Sequence, residues 1–432
     1  MDQYNLKKAK ELIKLNNENI CNCCLGRKFS NLKELENISG NRNRGKLINE
    51  KLSEKDYNYK KSSSCKICND ILFKVHENIA NENILKKIIE KIDYLNLKFE
   101  TFLIGSKIPN KILEKDEELN NILDLDVENI KKEINREIGK LIEVKLNKTV
   151  DFENPDIVIM VDLRKILDKD KEENAEDLSK IKIRIQINPI FIEGKYKKLI
   201  RGIPQTKWPC RKCKGKGCDE CNGTGKMYNE SVEELISNIV LKETNGYEAK
   251  FHGAGREDID VRMLGEGRPF VLEIKEPKFR KLDLYSITNK VNEYSEGKTE
   301  YNDLKFTERN RKAEIKVSSP DTFKVYRALV ECEAKISEKN LSKIKQLENT
   351  IIKQRTPQRV SHRRADKVRE REVKEVSTNL ISSNTFEMIV KTQGGLYIKE
   401  LISSDDSRTN PSVSQILNTK SICKELDVIE VG

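Results

Sequence analysis

The sequence predicts an α+β protein of more than one domain, and three observations carry that reading. Residues 81–150 are rich in Lys, Glu, Ile and Leu at helical spacing. Short apolar runs at 156–163, 181–194, 323–330 and 386–391 read as strands, most of them by alternation. Cysteines fall into two groups of paired Cys-x2-Cys knuckles, one before the helical stretch and one near the middle of the chain. A chain of 432 residues suggests roughly two to four domains and can bury a sizeable core. The expected layout is a small α+β domain with a cysteine metal site, then a domain whose mixed or antiparallel sheet is flanked by helices.

The first cysteine group offers Cys21 and Cys24 in "CNCCLGRKF" and Cys65 and Cys68 in "CKIC". Each knuckle can turn two thiolates toward one tetrahedral ion, which makes this pair a zinc signature. Cys23 is left as the spare thiol. "NENILKKIIEKIDYL" and "VENIKKEINREIGKLIEVK" are amphipathic helices whose charges form a solvated face. "DIVIMVDL" and "IKIRIQINPIFIEG" are strands, and "DKDKEENAEDLSK" between them is a polar, acidic loop. The second cysteine group is "CRKCKGKGCDECNGTGK", with Cys210, Cys213, Cys218 and Cys221. Its knuckles are too close for a long-armed ribbon, so one metal in a compact loop and no metal at all both stand open. "GTGKM" fails the nucleotide P-loop pattern at both ends. "SVEELISNIVLK" opens with a capping box, Ser231 and Glu234, before an apolar helical stripe.

Charged residues make up 35% of the chain and the net charge is +11, with Lys spread throughout. That balance suits a polyanionic partner such as nucleic acid, and equally a Lys/Glu-rich proteome. No apolar run is long enough to span a membrane, and the N-terminus lacks a signal-peptide core, so a cytoplasmic protein is expected. Eleven cysteines in that compartment point to metal or structural thiols rather than disulfides.

Only His76, His252 and His362 are available to a nucleophile–histidine system. No dinucleotide fingerprint and no His-Glu-x-x-His motif is present. A cofactor-free reaction that depends on an acid is therefore favoured over dehydrogenase, kinase or metalloprotease chemistry. The glycine-rich "FHGAGREDIDVRMLGEGRPFVLEIKEP" presents Asp258 and Asp260 near arginines. A carboxylate held beside a cation in a partly dry pocket can act as nucleophile or base. By spacing alone, both acids equally cap a turn and pair with Arg256 or Arg262.

Three stretches in order carry a resemblance that spacing does not. "AGREDIDV" resembles the Gly-Arg-Thr-Asp motif of pseudouridine synthases, "KVYRALV" their strand with the active-site aromatic residue, and "GGLYIKEL" their Gly-x-Tyr-Ile-Arg-x-Leu motif. The match is nearest to the archaeal tRNA pseudouridine-54/55 synthases, whose N-terminal region carries a cysteine zinc site and a THUMP fold. The resemblance implies an accessory domain over 1–205 and a catalytic domain over 206–432. "INPIFIEGKYKKLIRGIPQTKWPC" would end the THUMP region. Asp258 would be the catalytic carboxylate, with Asp260 as runner-up. Tyr326 would stack on the target uracil, and Tyr397 and Ile398 would shape the pocket wall. Lys399 stands where most relatives have Arg and would pair with Asp258 as a point charge rather than a fork. Leu401 would complete the motif, and Leu417 would add a C-terminal pocket contact.

The reaction so implied converts uridine 54, uridine 55 or both to pseudouridine in the T arm of tRNA, with structural zinc and no catalytic cofactor. The base must leave its stack at a cost of a few kcal/mol, and aromatic stacking returns about 1–3 kcal/mol. In "RTPQRVSHRRADKVRER", Arg355, Arg359, Arg363 and Arg364 precede any acid and would follow a phosphate backbone. Residues 284–320 would form a mobile thumb-like loop. The THUMP region would hold the acceptor end of a tRNA bound by a monomer. THUMP domains also precede methyltransferases and thiouridine synthases, but their glycine-rich and Ser-Gly-Gly-x-Asp-Ser motifs are absent. A non-catalytic RNA-binding protein is the other class, and it would not need Asp258, Tyr326 and Lys399 together.

Overall fold

A computed structural model describes residues 3–54, 64–166, 180–317 and 322–432, and the backbone but not the side chain of residue 363. The chain divides into two compact units, Met1–Asn188 and Pro189–Gly432. The acidic stretch 168–179 lies outside the described residues, as do the last positions of the expected thumb.

The first unit opens with helices α1 (Gln3–Leu15), α2 (Asn22–Lys28), α3 (Asn41–Ser53), α4 (Ile71–Ala80) and α5 (Asn83–Leu95). It continues as β1 (Thr101–Lys107), α6 (Asn110–Ile122), α7 (Ile130–Leu146), β2 (Thr149–Val150), β3 (Ile157–Asp162) and β4 (Lys182–Ile187). The strands form one sheet in the order β2-β1-β3-β4, parallel except for the β3–β4 pair. Alternation in β1 sends Phe102 and Ile104 inward, and full burial of each such side chain is worth about 1.5–3 kcal/mol. Helix α7 begins where Asn129 accepts a hydrogen bond from the Lys132 N–H at 2.9 Å, and its Ile130, Ile134, Ile138 and Ile142 fill the core.

The second unit contains β5 (Ile190–Lys198), α8 (Val232–Thr244), β6 (Glu248–Gly253), β7 (Val261–Lys275), α9 (Leu284–Tyr294), β8 (Thr299–Thr307) and α10 (Arg311–Val317). It goes on through β9 (Phe323–Cys332), α11 (Glu338–Leu341), β10 (Thr350–Arg355), β11 (Val368–Ser382) and β12 (Thr385–Gln393). It closes with α12 (Ile398–Ser403), β13 (Thr409–Asn410), α13 (Val413–Leu417) and β14 (Ser421–Val431). Ten strands among the described residues form one sheet, in the order β13-β10-β11-β12-β9-β14-β7-β5-β8, with β6 also paired to β7. All neighbours are antiparallel except β7 and β14. The two units are thus α+β, the second with a mixed sheet.

Four expectations change here. The run 181–194 is two strands in different units, because the chain breaks at Asn188-Pro189. Pro189 has no N–H to give a ladder, while Asn188 donates its side-chain amide to the Pro155 carbonyl at 2.8 Å. Strand β5 then pairs with β7 and β8, so the stretch from Pro189, "PIFIEGKYKKLIRG", belongs to the second unit and the division falls before 205/206. The expected thumb is no loop: residues 284–317 are α9, β8 and α10, and β8 closes the sheet edge. The capping box at Ser231 is half formed. Its hydroxyl accepts from the Glu234 N–H at 3.2 Å, and Glu234 accepts the hydroxyl proton at 2.7 Å rather than the backbone N–H of Ser231.

Candidate active site

Strand β6 ends at Gly253 and β7 begins at Val261, so the acids of the glycine-rich stretch sit on the connection between two paired strands. Gly255 there takes φ +86°, a conformation that side chains disfavour. Buried side chains hold this connection from beneath. The Lys198 ammonium donates to the carbonyls of Asp258 at 2.9 Å, Ile203 at 3.0 Å and Ile259 at 3.1 Å. Burial pushes the Lys198 amine down to about 8, against the opposing pull of the Glu257, Asp260 and Asp258 carboxylates. Gln205 donates to the Gly255 carbonyl at 3.0 Å and to the Tyr196 hydroxyl at 2.8 Å. Arg268 donates to the Ala254 carbonyl and, through Nε, to Glu257 Oε2, both at 2.9 Å. Glu257 points inward, where it also accepts the Tyr196 hydroxyl proton at 2.9 Å. Of the adjacent acids, then, Glu257 anchors the loop while Asp258 faces outward.

Asp258 lines a cleft of about 320 Å³. Opposite it stand Lys324 and Tyr326 on β9, Leu426 and Val428 on β14, and Tyr397, Ile398 and Lys399 at the start of α12. Register places them together: Tyr326 lies opposite Val428 on one side of β9 and opposite Val390 on the other. Burial raises the Tyr326 phenol above its ordinary value, and the Arg268 charge opposes that in part. Burial and the Arg268 charge push the Lys324 amine down to about 8, with Glu257 pulling the other way. Tyr397 is fixed by Gln354, whose side-chain amide donates to the Tyr397 carbonyl at 3.0 Å and accepts its N–H at 2.8 Å.

The cation that engages Asp258 is Arg359, at 2.7 Å. Arg359 also reaches Glu400 at 2.5 Å and lies over the Tyr397 ring at 5.8 Å from its centroid. Lys399 instead grips Asp260 at 2.6 Å and stands 3.8 Å from Asp258, so the expected Lys399–Asp258 pair is a secondary contact. An ammonium on a flexible stem settles on one carboxylate, whereas a guanidinium fork can bridge two. Partial burial alone would raise the Asp260 carboxyl, but the Lys399 hydrogen bond and charge outweigh it and hold the group below its usual range.

The remaining arginines of the basic run separate. Arg355 is tied to Asp366 at 2.6 Å. Arg364 is exposed, lines the cleft and has no ion pair among the described residues. The Arg363 side chain is outside the described residues. Leu401 and Leu417 are buried in the core of the unit and do not line the cleft. Sequence reading missed Glu257, Arg268, Lys198, Gln205 and Gln354. Other charged residues share the strands of Lys198 and Arg268, so no local signal marked these two as buried.

Both cysteine groups assemble. Cys21, Cys24, Cys65 and Cys68 in the first unit, and Cys210, Cys213, Cys218 and Cys221 in the second, each bring four sulfurs within 4.8 Å of one another. The sulfurs of Cys21 and Cys68, Cys210 and Cys218, Cys213 and Cys221, and Cys218 and Cys221 stand 3.7 to 3.9 Å apart. A tetrahedral ion with metal–sulfur bonds of about 2.3 Å requires about 3.8 Å. Cys23 is buried outside the first group. Backbone N–H groups of Gly217, Cys218 and Gly225 point at sulfurs of the second, each at 3.2 Å. Both sets could hold a metal ion.

Comparison with known proteins agrees with this layout. Residues 191–432 match the Pus10 C-terminal family, and residues 84–162 match the archaeal Pus10 THUMP domain. The chain is 48% identical over 421 residues to the tRNA pseudouridine synthase Pus10 of Methanothermobacter marburgensis, covering 98% of this chain and 97% of that one. It is 40% identical over 431 residues to the tRNA pseudouridine synthase Pus10 of Pyrococcus furiosus, covering 99% and 97%. Fold and matches together define a pseudouridine synthase with an N-terminal THUMP domain. More particularly, the chain belongs to the Pus10 family. The THUMP match ends at residue 162, on β3, so the segment from Ile190 to Cys210 is no part of it.

Proposed function

We propose that the chain isomerises uridine to pseudouridine in the T arm of tRNA, at position 54, 55 or both, with Asp258 as the working carboxylate. One observation carries this reading. Both Glu257 and Asp258 line the cleft, but Glu257 is buried and committed to Arg268 and Tyr196, whereas Asp258 is partly exposed to the cleft with a guanidinium at 2.7 Å.

In the reaction the C1′–N1 bond breaks, the uracil turns, and a C1′–C5 bond forms. The proton lost from C5 is matched by one gained at N1, so substrate and product are isomers. Asp258 acts by attack at C1′ or by removing the 2′ proton, and either route returns the carboxylate unchanged. Arg359 orients it and offsets its charge, and Lys399 adds a second positive charge 3.8 Å away. Tyr326 stacks on the flipped base, with Tyr397 and Ile398 as the facing wall. Arg364 takes a phosphate at the rim, with Arg363 beside it in sequence. The THUMP domain holds the acceptor end of the tRNA, and the enzyme works as a cytoplasmic monomer. No helix among the described residues is long and apolar enough to cross a membrane.

The metal proposed for both cysteine groups is zinc, which all-thiolate tetrahedral sites select. Its role is structural: each ion ties together two knuckles that are separate in sequence.

Pseudouridine mapping on an unmodified archaeal tRNA transcript tests the reading, with wild type and Asp258→Asn in parallel. New pseudouridine at 54 or 55 with wild type alone supports it. Product from both proteins moves the role to Asp260 or elsewhere. Tight tRNA binding with no product from either leaves a binding protein and overturns the proposal.

A further inference from the structure

A second cavity of about 210 Å³ adjoins the cleft. It shares Arg256, Asp258, Arg359 and Lys399 with the cleft and adds Trp208 and Asp260 as walls of its own. Trp208 is the one tryptophan in the chain. It is half-buried but belongs to no apolar core. The Arg256 guanidinium lies over its ring at 5.1 Å from the centroid, and the Tyr228 ring meets it edge-on at 5.6 Å. Arg256 and Tyr228 fix the ring at the cavity wall, beside two carboxylates and three cations, where a ligand with a flat face finds a stacking partner.

The backbone of Trp208 is clamped by the base of the second cysteine loop. Met227 donates its N–H to the Trp208 carbonyl at 3.0 Å, Cys210 donates to Gly225 at 2.8 Å, and Pro209 bridges to Lys226. That loop is basic at its tip: Arg211, Lys214 and Lys216 are exposed and have no ion pair among the described residues. A ring held at the edge of a cleft by a rigid, cationic loop has the two parts that single-stranded nucleic acid requires, a stacking platform and an electrostatic track.

We propose that the Trp208 cavity is a second nucleotide subsite. It takes the base of the residue next to the isomerised uridine, while the Cys210–Cys221 loop follows that residue's phosphates. This rests on the RNA reading given above. A uridine flipped into the cleft remains bonded to its neighbours, and the wall that the two cavities share puts the Trp208 cavity within one nucleotide's reach of it. A base seated there continues the Trp208–Arg256 stack. A flat, sequence-tolerant contact of this kind adds affinity without demanding one base identity.

The single tryptophan makes the test direct, because the protein's tryptophan emission reports this subsite. Full-length wild-type protein is titrated with unmodified tRNA transcript, and with transcripts carrying one abasic nucleotide on either side of the target. The expected result is quenching that saturates with binding. One of the two abasic RNAs should lose most of that quenching and bind roughly five- to a hundredfold more weakly, the range a stacked base supports. Trp208→Ala should weaken binding of the intact RNA by a similar factor and that of the same abasic RNA no further. Trp208→Phe should recover most of the loss, which a loop that simply failed to fold would not allow. Unchanged emission at saturating RNA, or independent, multiplying effects of Trp208→Ala and the abasic sites, overturns the subsite. Product formation by the wild type on the same RNA is scored separately. Product without quenching removes the subsite alone, and quenching without product removes the catalytic reading alone.

Discussion

Arg359 is the side chain on which the geometry makes the largest claim, and Arg359→Met separates its two duties. Its fork joins Asp258 at 2.7 Å to Glu400 at 2.5 Å. A charge-assisted hydrogen bond contributes about 1.5–3 kcal/mol. The Arg359 and Asp258 side chains are 36% and 31% exposed, so solvent screening favours the lower end of that range. A loss of about 1.5–2 kcal/mol in holding Asp258 converts to a rate roughly 10- to 30-fold slower. Lys399, still 3.8 Å away, keeps the loss from growing further. Glu400 fares differently, because its side chain is 5% exposed and Arg359 is its only cationic partner among the described residues. Stranding that carboxylate costs about 3 kcal/mol, or about 6–12 °C in the melting of a unit this size. Glu400→Gln on top of Arg359→Met should recover most of the melting temperature and none of the rate. Calorimetry and single-turnover pseudouridine formation read the two arms. A double variant with wild-type rate, or Arg359→Met with unchanged melting, would refute the reasoning.

Three further outcomes follow from other contacts. Asp260→Asn should slow the reaction by no more than about fivefold, since it breaks a half-exposed pair with Lys399 worth about 1 kcal/mol or less; a loss as deep as that of Asp258→Asn in the same assay would reverse their roles. Asp116 in the first unit, 1% exposed, meets Arg27 and Lys28 each at 2.7 Å. Burial alone would raise its carboxyl, but the Arg27 and Lys28 charges hold it below the usual range. Its stabilisation is therefore fully present above about pH 4, the unfolded carboxylate value, and fades as pH falls through the lowered folded one. Asp116→Asn should cost about 3–5 kcal/mol at neutral pH and flatten the acid limb of the first unit's unfolding curve followed by circular dichroism. Metal analysis of the full chain should find two zinc ions, with Cys65→Ser and Cys213→Ser each losing one and Cys23→Ser losing none; a chain that keeps both ions in either ligand variant would contradict the assignment.

Much of the candidate site was legible because its signals are local. Knuckle spacing put four thiolates in each group, and alternation over 323–330 and 386–391 marked two strands that do pair, as β9 and β12. The joint motif drew Asp258, Tyr326, Tyr397, Ile398 and Lys399 to one cleft. Local signals also misled where a break was small or a role was borrowed. One proline divides a single alternating run between two units, and an expected loop proved to be two helices and an edge strand.

By itself the sequence determined the strongly periodic helices and strands, which cysteines group, and which acids could be working acids, because periodicity, knuckle spacing and motif order need only near neighbours. Tertiary structure alone decided the partners. Arg359 finds Asp258 across 101 residues, Lys399 prefers Asp260 across 139, and Arg201, Arg262 and Arg327 converge on Asp427. It also turned Glu257 inward and Asp258 outward, and set Trp208 beside Asp258 and Asp260. The physical reason is the large sheet, which brings its own strands and the connections between them a few ångströms apart, where an ion pair or a burial penalty can choose between side chains distant in sequence.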